Sequence, residues 1–275
     1  MGELNFGRVK PTFMIIGAQK CGTTSLHKYL LQHPRLISPE KKELHFFDKM
    51  GNEAISNYNR QFPVRFFSNQ LSFESTPSYL YYPDAAKRIY EYNPKMKFIV
   101  LLRNPVKRAY SAWNMFKNHA KLPEKVKIYK ENGEKESSNK LYEFFYKNDF
   151  PSFEEWMEYE IGNILQTSVL EPSIIKRGYY KKQIENWFSY FSKEQFLFID
   201  SSELKKEPLK ILNNISDFLG IDDFEGSKLN LEIKHKSEYE TPINDETYRY
   251  LLAHYQNKNE GLEKLIDLKL DWLEN

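Results

Sequence analysis

Phe13-Met14-Ile15-Ile16-Gly17-Ala18-Gln19-Lys20-Cys21-Gly22-Thr23-Thr24-Ser25-Leu26 decides the fold. Apolar residues run into a glycine, and a short polar loop closes on a second glycine followed by hydroxyl residues. A short apolar run bounded by glycine reads as a buried parallel strand, here Phe13–Gly17. The stretch from Gly22 to Gln32 reads as the following helix, ending before His33-Pro34 because proline disfavours helix in its predecessor. Strand, loop and helix N-terminus together hold anions, since the loop amides and the positive end of the helix dipole converge.

The glycine spacing invites comparison with the Walker A loop, in which a lysine follows the second glycine. Here Thr23 stands in that place, and the lysine is inside the loop at Lys20. The loop therefore suits a phosphate without the usual triphosphate and magnesium apparatus. The plainer reading is a glycine-punctuated turn with no ligand; Lys20 and the Thr23-Thr24-Ser25 run favour the phosphate.

The chain has 275 residues, 40% hydrophobic and 16% aromatic, which supports a substantial core. With no clean linker, one domain over 1–275 is expected, with residues 1–11 as an N-terminal tail. Net charge is +2, from 40 basic and 38 acidic residues, which argues against a dedicated nucleic-acid binder. Cys21 is the single cysteine, so no intramolecular disulfide forms and an oxidising compartment is not needed. A small side chain filling a tight turn explains it better than thiol chemistry. The N-terminus lacks the apolar segment of a signal peptide, and no run is long and apolar enough for a membrane span. A cytoplasmic protein is expected.

Further strands are expected at Leu36-Ile37-Ser38, Lys97–Arg103 and Gln195–Asp200. Asn104-Pro105 opens a helix, with proline at an early position where its missing N–H is harmless. Helices are also expected over Phe153–Ile164 capped by Ser152, Tyr179–Phe191, Pro208–Leu219 closed by Gly220, Asn244 to about Gln256, and the tail Leu262–Leu273. Residues 118–150 are hydrophilic and lysine-rich and read as an insertion or lid. Strands alternating with helices imply a three-layer α/β sandwich with a mainly parallel sheet, P-loop-like in design.

Between the first two long strands lies Lys42-Glu43-Leu44-His45-Phe46-Phe47-Asp48. Glu43 and His45 share a face if this segment is extended, and a carboxylate with an imidazole can do acid–base work. Locally, a surface charge run before a buried Phe pair reads better. Phe73–Tyr79 reads as a strand end breaking into a proline turn; it can line a pocket mouth with Thr76 and Tyr79, or be a plain turn. Arg103 sits at a strand's carboxyl end and Ser111 two turns along the next helix, where both could close on one phosphate. A structural ion pair and a packing serine explain them equally well.

Taken together, these motifs resemble the sulfotransferase superfamily, in particular its carbohydrate branch and bacterial relatives. Gly17–Leu26 is similar to the loop that binds the 5′-phosphosulfate end of 3′-phosphoadenosine 5′-phosphosulfate (PAPS). Ile99–Trp113 resembles the 3′-phosphate motif, and Lys42–Asp48 the segment with the catalytic glutamate of heparan-type enzymes. The resemblance implies a PAPS-dependent sulfotransferase that releases adenosine 3′,5′-bisphosphate (PAP) and requires no metal. It implies in-line transfer in which Glu43 is the general base and Lys20 donates to the bridging oxygen, with His45 orienting Glu43 or the acceptor. Donor contacts would come from Lys20, Cys21, Gly22, Thr23, Thr24, Ser25, Arg103, Ser111, Tyr179, Lys236 and Ser237. Acceptor contacts would come from Lys42, Glu43, His45, Phe46, Thr76 and Tyr79. The acceptor would be a hydroxyl or amine of a glycan or glycoconjugate, with a small lipid or phenolic hydroxyl as the alternative.

The chain departs from the family in its late basic segment, Lys236-Ser237-Glu238-Tyr239, where serine replaces glycine and an acid replaces a base. It also lacks the cysteine pair of the secretory carbohydrate branch, which favours a cytoplasmic, bacterial enzyme. Two other classes compete: a P-loop nucleotide or small-molecule kinase, and a non-catalytic module that keeps the anion sites.

Overall fold

A computed structural model describes residues 10–48, 54–64, 69–137, 139–146, 149–163, 172–231 and 242–273. In chain order the elements are β1 (Pro11–Gly17), α1 (Thr23–Leu30), β2 (Leu36–Ile37), α2 (Ile55–Arg60), β3 (Leu71–Ser75), α3 (Pro83–Tyr92) and β4 (Lys97–Leu102). Then come α4 (Pro105–His119), α5 (Pro123–Lys135), α6 (Phe153–Gly162), α7 (Tyr180–Phe188) and β5 (Phe196–Asp200). The last are α8 (Ser201–Lys206), α9 (Pro208–Leu219), α10 (Asp245–Lys258) and α11 (Leu262–Ile266). The chain divides into two compact units, one from residues 1–103, 183–236 and 266–268, the other from 104–182, 237–265 and 269–275.

The first unit carries the sheet. Five parallel strands lie in the order β2-β3-β1-β4-β5, and helices flank them, as expected for an α/β fold. Phe13–Ile16 and Phe98–Leu102 are wholly buried, which is why the two central strands read as unbroken apolar runs. Ile15 pairs with Ser75 on one side and Ile99 on the other, so the carboxyl ends of β1, β3 and β4 lie together. After β1 the chain first goes out to β2 and β3 and then crosses to β4, so β1 is the topological switch point where open sheets bind ligands.

The second unit is helical. Asn104 caps α4, its side chain accepting from the amides of Val106 and Lys107. A capping box at Ser152 and Glu155 starts α6, as the sequence suggests. Val106, Trp113, Phe116, Phe145, Trp156 and Tyr255 form its core. The fully buried Glu160 accepts from Trp156 Nε1 and from the amides of Ile174, Ile175 and Lys176 at 2.8–3.1 Å, fixing that turn.

Within residues 118–150, read from the sequence as an insertion or lid, α5 covers Pro123–Lys135 and includes Asn132-Gly133. Tyr129 stacks on Phe145, so apolar positions among the lysines give α5 a face to bury. The tail helix is short, Leu262–Ile266, and α7 ends at Phe188. No described helix is long and apolar enough to cross a membrane.

Candidate active site

The loop after β1 is built to receive an anion. Gly22 stands at the helix N-cap with φ +93°, a left-handed conformation that side chains rarely adopt, so glycine is required there. No side chain caps α1, and the amides of Thr23, Thr24 and Ser25 in its first turn have no intrahelical acceptor. Donors aimed outward from a helix start fit a phosphate group. The loop is tied to β4: Ala18 N donates to Leu101 O at 2.7 Å, and Arg103 Nη1 donates to Lys20 O at 3.1 Å. Cys21 is buried and its amide donates to Ala18 O, in keeping with a residue that fills a tight turn.

Opposite, the segment from Lys42 to Asp48 comes to the tip of β3. Glu43 N donates to Ser75 O at 3.1 Å. Glu43 and His45 both have positive φ, 64° and 53°. The segment is therefore not extended, which corrects the face-sharing expectation: left-handed turns bring the two side chains together. Among the described residues four non-glycine positions have positive φ, and Lys20, Glu43 and His45 are three of them. Such conformations are costly and concentrate at functional sites.

His45 lies between two carboxylates. Its Nδ1 is 2.8 Å from Asp48 Oδ2 and its Nε2 is 3.6 Å from Glu43 Oε2. Asp48 is 2% exposed; Ser78 Oγ also donates to its Oδ2, while Oδ1 has no hydrogen-bond partner among the described residues. A buried carboxylate served so unevenly needs a compensating charge, and His45 supplies it. Burial on its own lowers the His45 pKa, but the hydrogen bonds to Asp48 and Glu43 overcome it and raise the pKa to about 9. For Glu43, burial raises the pKa, and the His45 hydrogen bond with the Lys42 charge brings it down to about 2. Lys42 Nζ contacts Glu43 Oε1 directly. Glu43 is thus ionised at physiological pH, with a cation beside each oxygen and 40% of its side chain exposed.

Behind this pair lies Glu74 on β3, buried within the sheet and raised in pKa chiefly by that burial. It accepts from Tyr58 OH at 2.5 Å, Thr76 Oγ1 at 2.6 Å and Tyr79 OH at 2.8 Å. Tyr79 OH accepts in turn from the amides of Phe46 and Phe47. Thr76 and Tyr79, expected at a pocket mouth, are instead wholly buried. Their hydroxyls face inward because a buried carboxylate must be hydrogen-bonded. Phe46 is half-buried against Phe47 and Tyr58. His27 on α1 places Nδ1 3.0 Å from Ser75 Oγ; burial, then the Lys42 charge, lowers its pKa to about 4, so it is neutral.

In the second unit Ser111 is buried on α4. Tyr179 OH is 2.8 Å from His254 Nε2, and Lys258 Nζ is 5.9 Å from the Tyr179 ring centroid. Lys236 and Ser237 lie outside the described residues.

Sequence reading passed over Asp48, Ser78 and Glu74. Asp48 closes a Glu-x-His-x-x-Asp spacing, and Glu74 is a lone acid inside an apolar strand, so both carried a signal. Ser78 carried none, because its partner is thirty positions away.

The model of the sulfotransferase domain matches residues 10–251. Among curated relatives, the bifunctional heparan sulfate N-deacetylase/N-sulfotransferase 4 of Mus musculus is 29% identical over 93% of this chain and 30% of its own length. The heparan sulfate glucosamine 3-O-sulfotransferase 3B1 of Homo sapiens is 30% identical over 77% of this chain and 46% of its own. The chain thus spans less than half the length of either relative. A sulfotransferase crystal structure from Alicyclobacillus acidocaldarius superposes with a TM-score of 0.72 at 26% identity, over 97% of this chain and 100% of that one. The family match displaces the kinase alternative, and with the glycine loop and the parallel sheet in place, the chain belongs to the sulfotransferase domain family.

Proposed function

We propose that this protein transfers a sulfuryl group from PAPS to a hydroxyl or amine of a carbohydrate or glycoconjugate. The observation that carries this reading is Glu43: a carboxylate on left-handed backbone, pinned to the tip of β3 and backed by His45 and buried Asp48. The heparan sulfate enzymes among the relatives support a sugar acceptor.

The donor would supply an activated sulfuryl group on its 5′ phosphate. The amides of Thr23, Thr24 and Ser25, with Gly22 and the Thr23 and Thr24 hydroxyls, suit that phosphate. Lys20 would donate to the oxygen that bridges sulfur and phosphate, where negative charge grows as that bond breaks. Glu43 would take the proton from the acceptor atom as it forms the new bond to sulfur; the other product is PAP. His45, held by Asp48, would fix the orientation of Glu43. Arg103 is our candidate for the 3′ phosphate, while Ser111 and Tyr179 stay candidates from their sequence motifs alone.

The test is incubation with PAPS and a panel of glycans in magnesium-free buffer, reading sulfated product by mass spectrometry. Product from wild type and none from Glu43→Gln is expected. Stabilisation by ATP with magnesium but not by PAP would overturn the reading.

A further inference from the structure

His27 stands between the anion loop and Glu43, and the reaction above gives it no task. Thr23 and His27 are one turn apart on the buried face of α1, and a helical side chain leans toward the N-terminus of its helix. The ring is thus drawn toward the first turn, whose amides suit the donor phosphate. It packs on Phe73 with centroids 5.1 Å apart and is 7% exposed. Its Nδ1 lies 3.0 Å from Ser75 Oγ, and the Ser75 carbonyl accepts from Glu43 N at 3.1 Å. One residue at the tip of β3 therefore holds both the imidazole and the backbone of Glu43. The charges of Lys42 and Glu43 both act on the ring.

Ser75 fixes the tautomer. It is 1% exposed, and among the described residues its hydroxyl has no acceptor other than His27 Nδ1. A buried hydroxyl places its hydrogen on an acceptor, so Ser75 donates and Nδ1 carries no proton. Burial, then the Lys42 charge, hold the ring neutral with a pKa of about 4. Its one ring proton is therefore on Nε2. Among the described residues Nε2 has no hydrogen-bond partner, and it is not sealed in the interior. A donor so placed is free to bind an incoming oxygen.

Resting on the sulfotransfer reading above, we propose that His27 is a further catalytic residue, a neutral donor whose Nε2–H binds an oxygen of the transferring sulfuryl group. The acceptor atom forms its bond to sulfur, and the bond from sulfur to the bridging oxygen breaks with its electron pair going to PAP. The acceptor's proton goes to Glu43, and His27 keeps its own throughout. A neutral donor suits this place. Negative charge grows on the bridging oxygen, which Lys20 serves, and not on the outer oxygens of sulfur. A cation on those outer oxygens would grip the ground state as tightly as the transition state and gain no rate. A neutral N–H aligns the group between Glu43 and the bridging oxygen. Ser75 is then a positioning residue, acting through the tautomer of His27.

The experiment uses the full chain. Nitrogen-15 NMR of histidine-labelled wild type needs no turnover, and the His27 signals are assigned by their absence from His27→Phe. His27 should show the Nε2–H tautomer; PAPS without acceptor should shift Nε2, and PAP should leave it nearly unmoved. With the panel glycan that wild type sulfates fastest, His27→Phe should cut kcat by about 10²-fold, the cost of a misaligned reacting group, and hold the PAP dissociation constant within about twofold. His27→Gln, whose amide N–H serves the same oxygen, should recover part of the loss. Ser75→Ala should bring up an Nδ1–H signal and lower kcat by less than His27→Phe. An Nδ1–H tautomer in wild type, equal Nε2 responses to PAP and PAPS, or wild-type kcat in His27→Phe overturns the proposal, while product from wild type leaves the sulfotransfer reading standing. Parallel losses of PAP affinity and kcat in both His27 variants overturn it too, as the mark of a structural role. No product from wild type with any glycan and no binding of PAP sinks that reading and the His27 proposal with it.

Discussion

His45 Nδ1 lies 2.8 Å from Oδ2 of Asp48, a carboxylate buried to 2% exposure. This pair fixes the charge state of the candidate centre. A buried carboxylate with one unserved oxygen holds the proton on its imidazole partner, and the imidazolium then faces Glu43.

The pair has a consequence for stability against pH. The folded-state pKa of His45, about 9, lies above the ordinary histidine value. Its stabilising contribution is complete below about pH 6.5 and is lost as pH rises through about 9. Melting temperature should therefore fall across that window, and His45→Gln should flatten the fall. An equal slope in wild type and variant would show that His45 is not the group responsible.

Glu43→Gln keeps the shape of the side chain and removes its basicity. Turnover should drop by about 10²–10⁴-fold, the usual contribution of a general base. PAP affinity by calorimetry should stay within about twofold, since the loop amides are untouched. Weakened PAP binding instead would make Glu43 part of the donor scaffold.

Arg103 donates to the Lys20 carbonyl and so ties the loop to the strand tip. Arg103→Ala should raise the PAP dissociation constant by about tenfold or more, and Arg103→Lys should not restore it, because a lysine lacks the guanidinium fork. Unchanged affinity in both variants would remove Arg103 from the donor site.

Tyr79→Phe takes one donor from buried Glu74 and the shared acceptor from the Phe46 and Phe47 amides. Leaving buried polar groups unserved should cost about 1–3 kcal/mol in urea unfolding. The loop from Lys42 to Asp48 hangs on those amides, so kcat should fall while PAP affinity holds. Stability unchanged from wild type would mean that the Tyr79 hydroxyl is not the tie it appears in the fold.

Gly22→Ala puts a side chain on backbone at φ +93°. Destabilisation of about 1–2 kcal/mol is expected from the left-handed conformation alone. Loss of PAP binding should accompany it if the helix start turns. A variant that binds PAP normally would show that this turn does not depend on glycine.

Much of the architecture follows from local rules. The Phe13–Gly17 run lies within β1, Asn104-Pro105 opens α4, Ser152 with Glu155 caps α6, and Gly220 ends α9 at φ 71°. Each signal acts within a few residues: apolar runs make buried strands, and capping side chains reach amides two or three positions on. The phosphate-type loop is legible for the same reason, since strand, glycines and helix start are contiguous.

The chemistry around Glu43 is set by contacts between distant stretches, which no local rule sees. Glu43 N reaches Ser75 O, Ser78 reaches Asp48, and Tyr79 reaches Phe46 and Phe47. Those bonds outweigh the cost of left-handed backbone at Glu43 and His45, turn Thr76 and Tyr79 inward, and decide which carboxylate carries a charge. Sequence alone determined the sheet, the loop and the residue types at the site. Only the tertiary structure decided their protonation and pairing, because burial and long-range hydrogen bonds are what shift a proton.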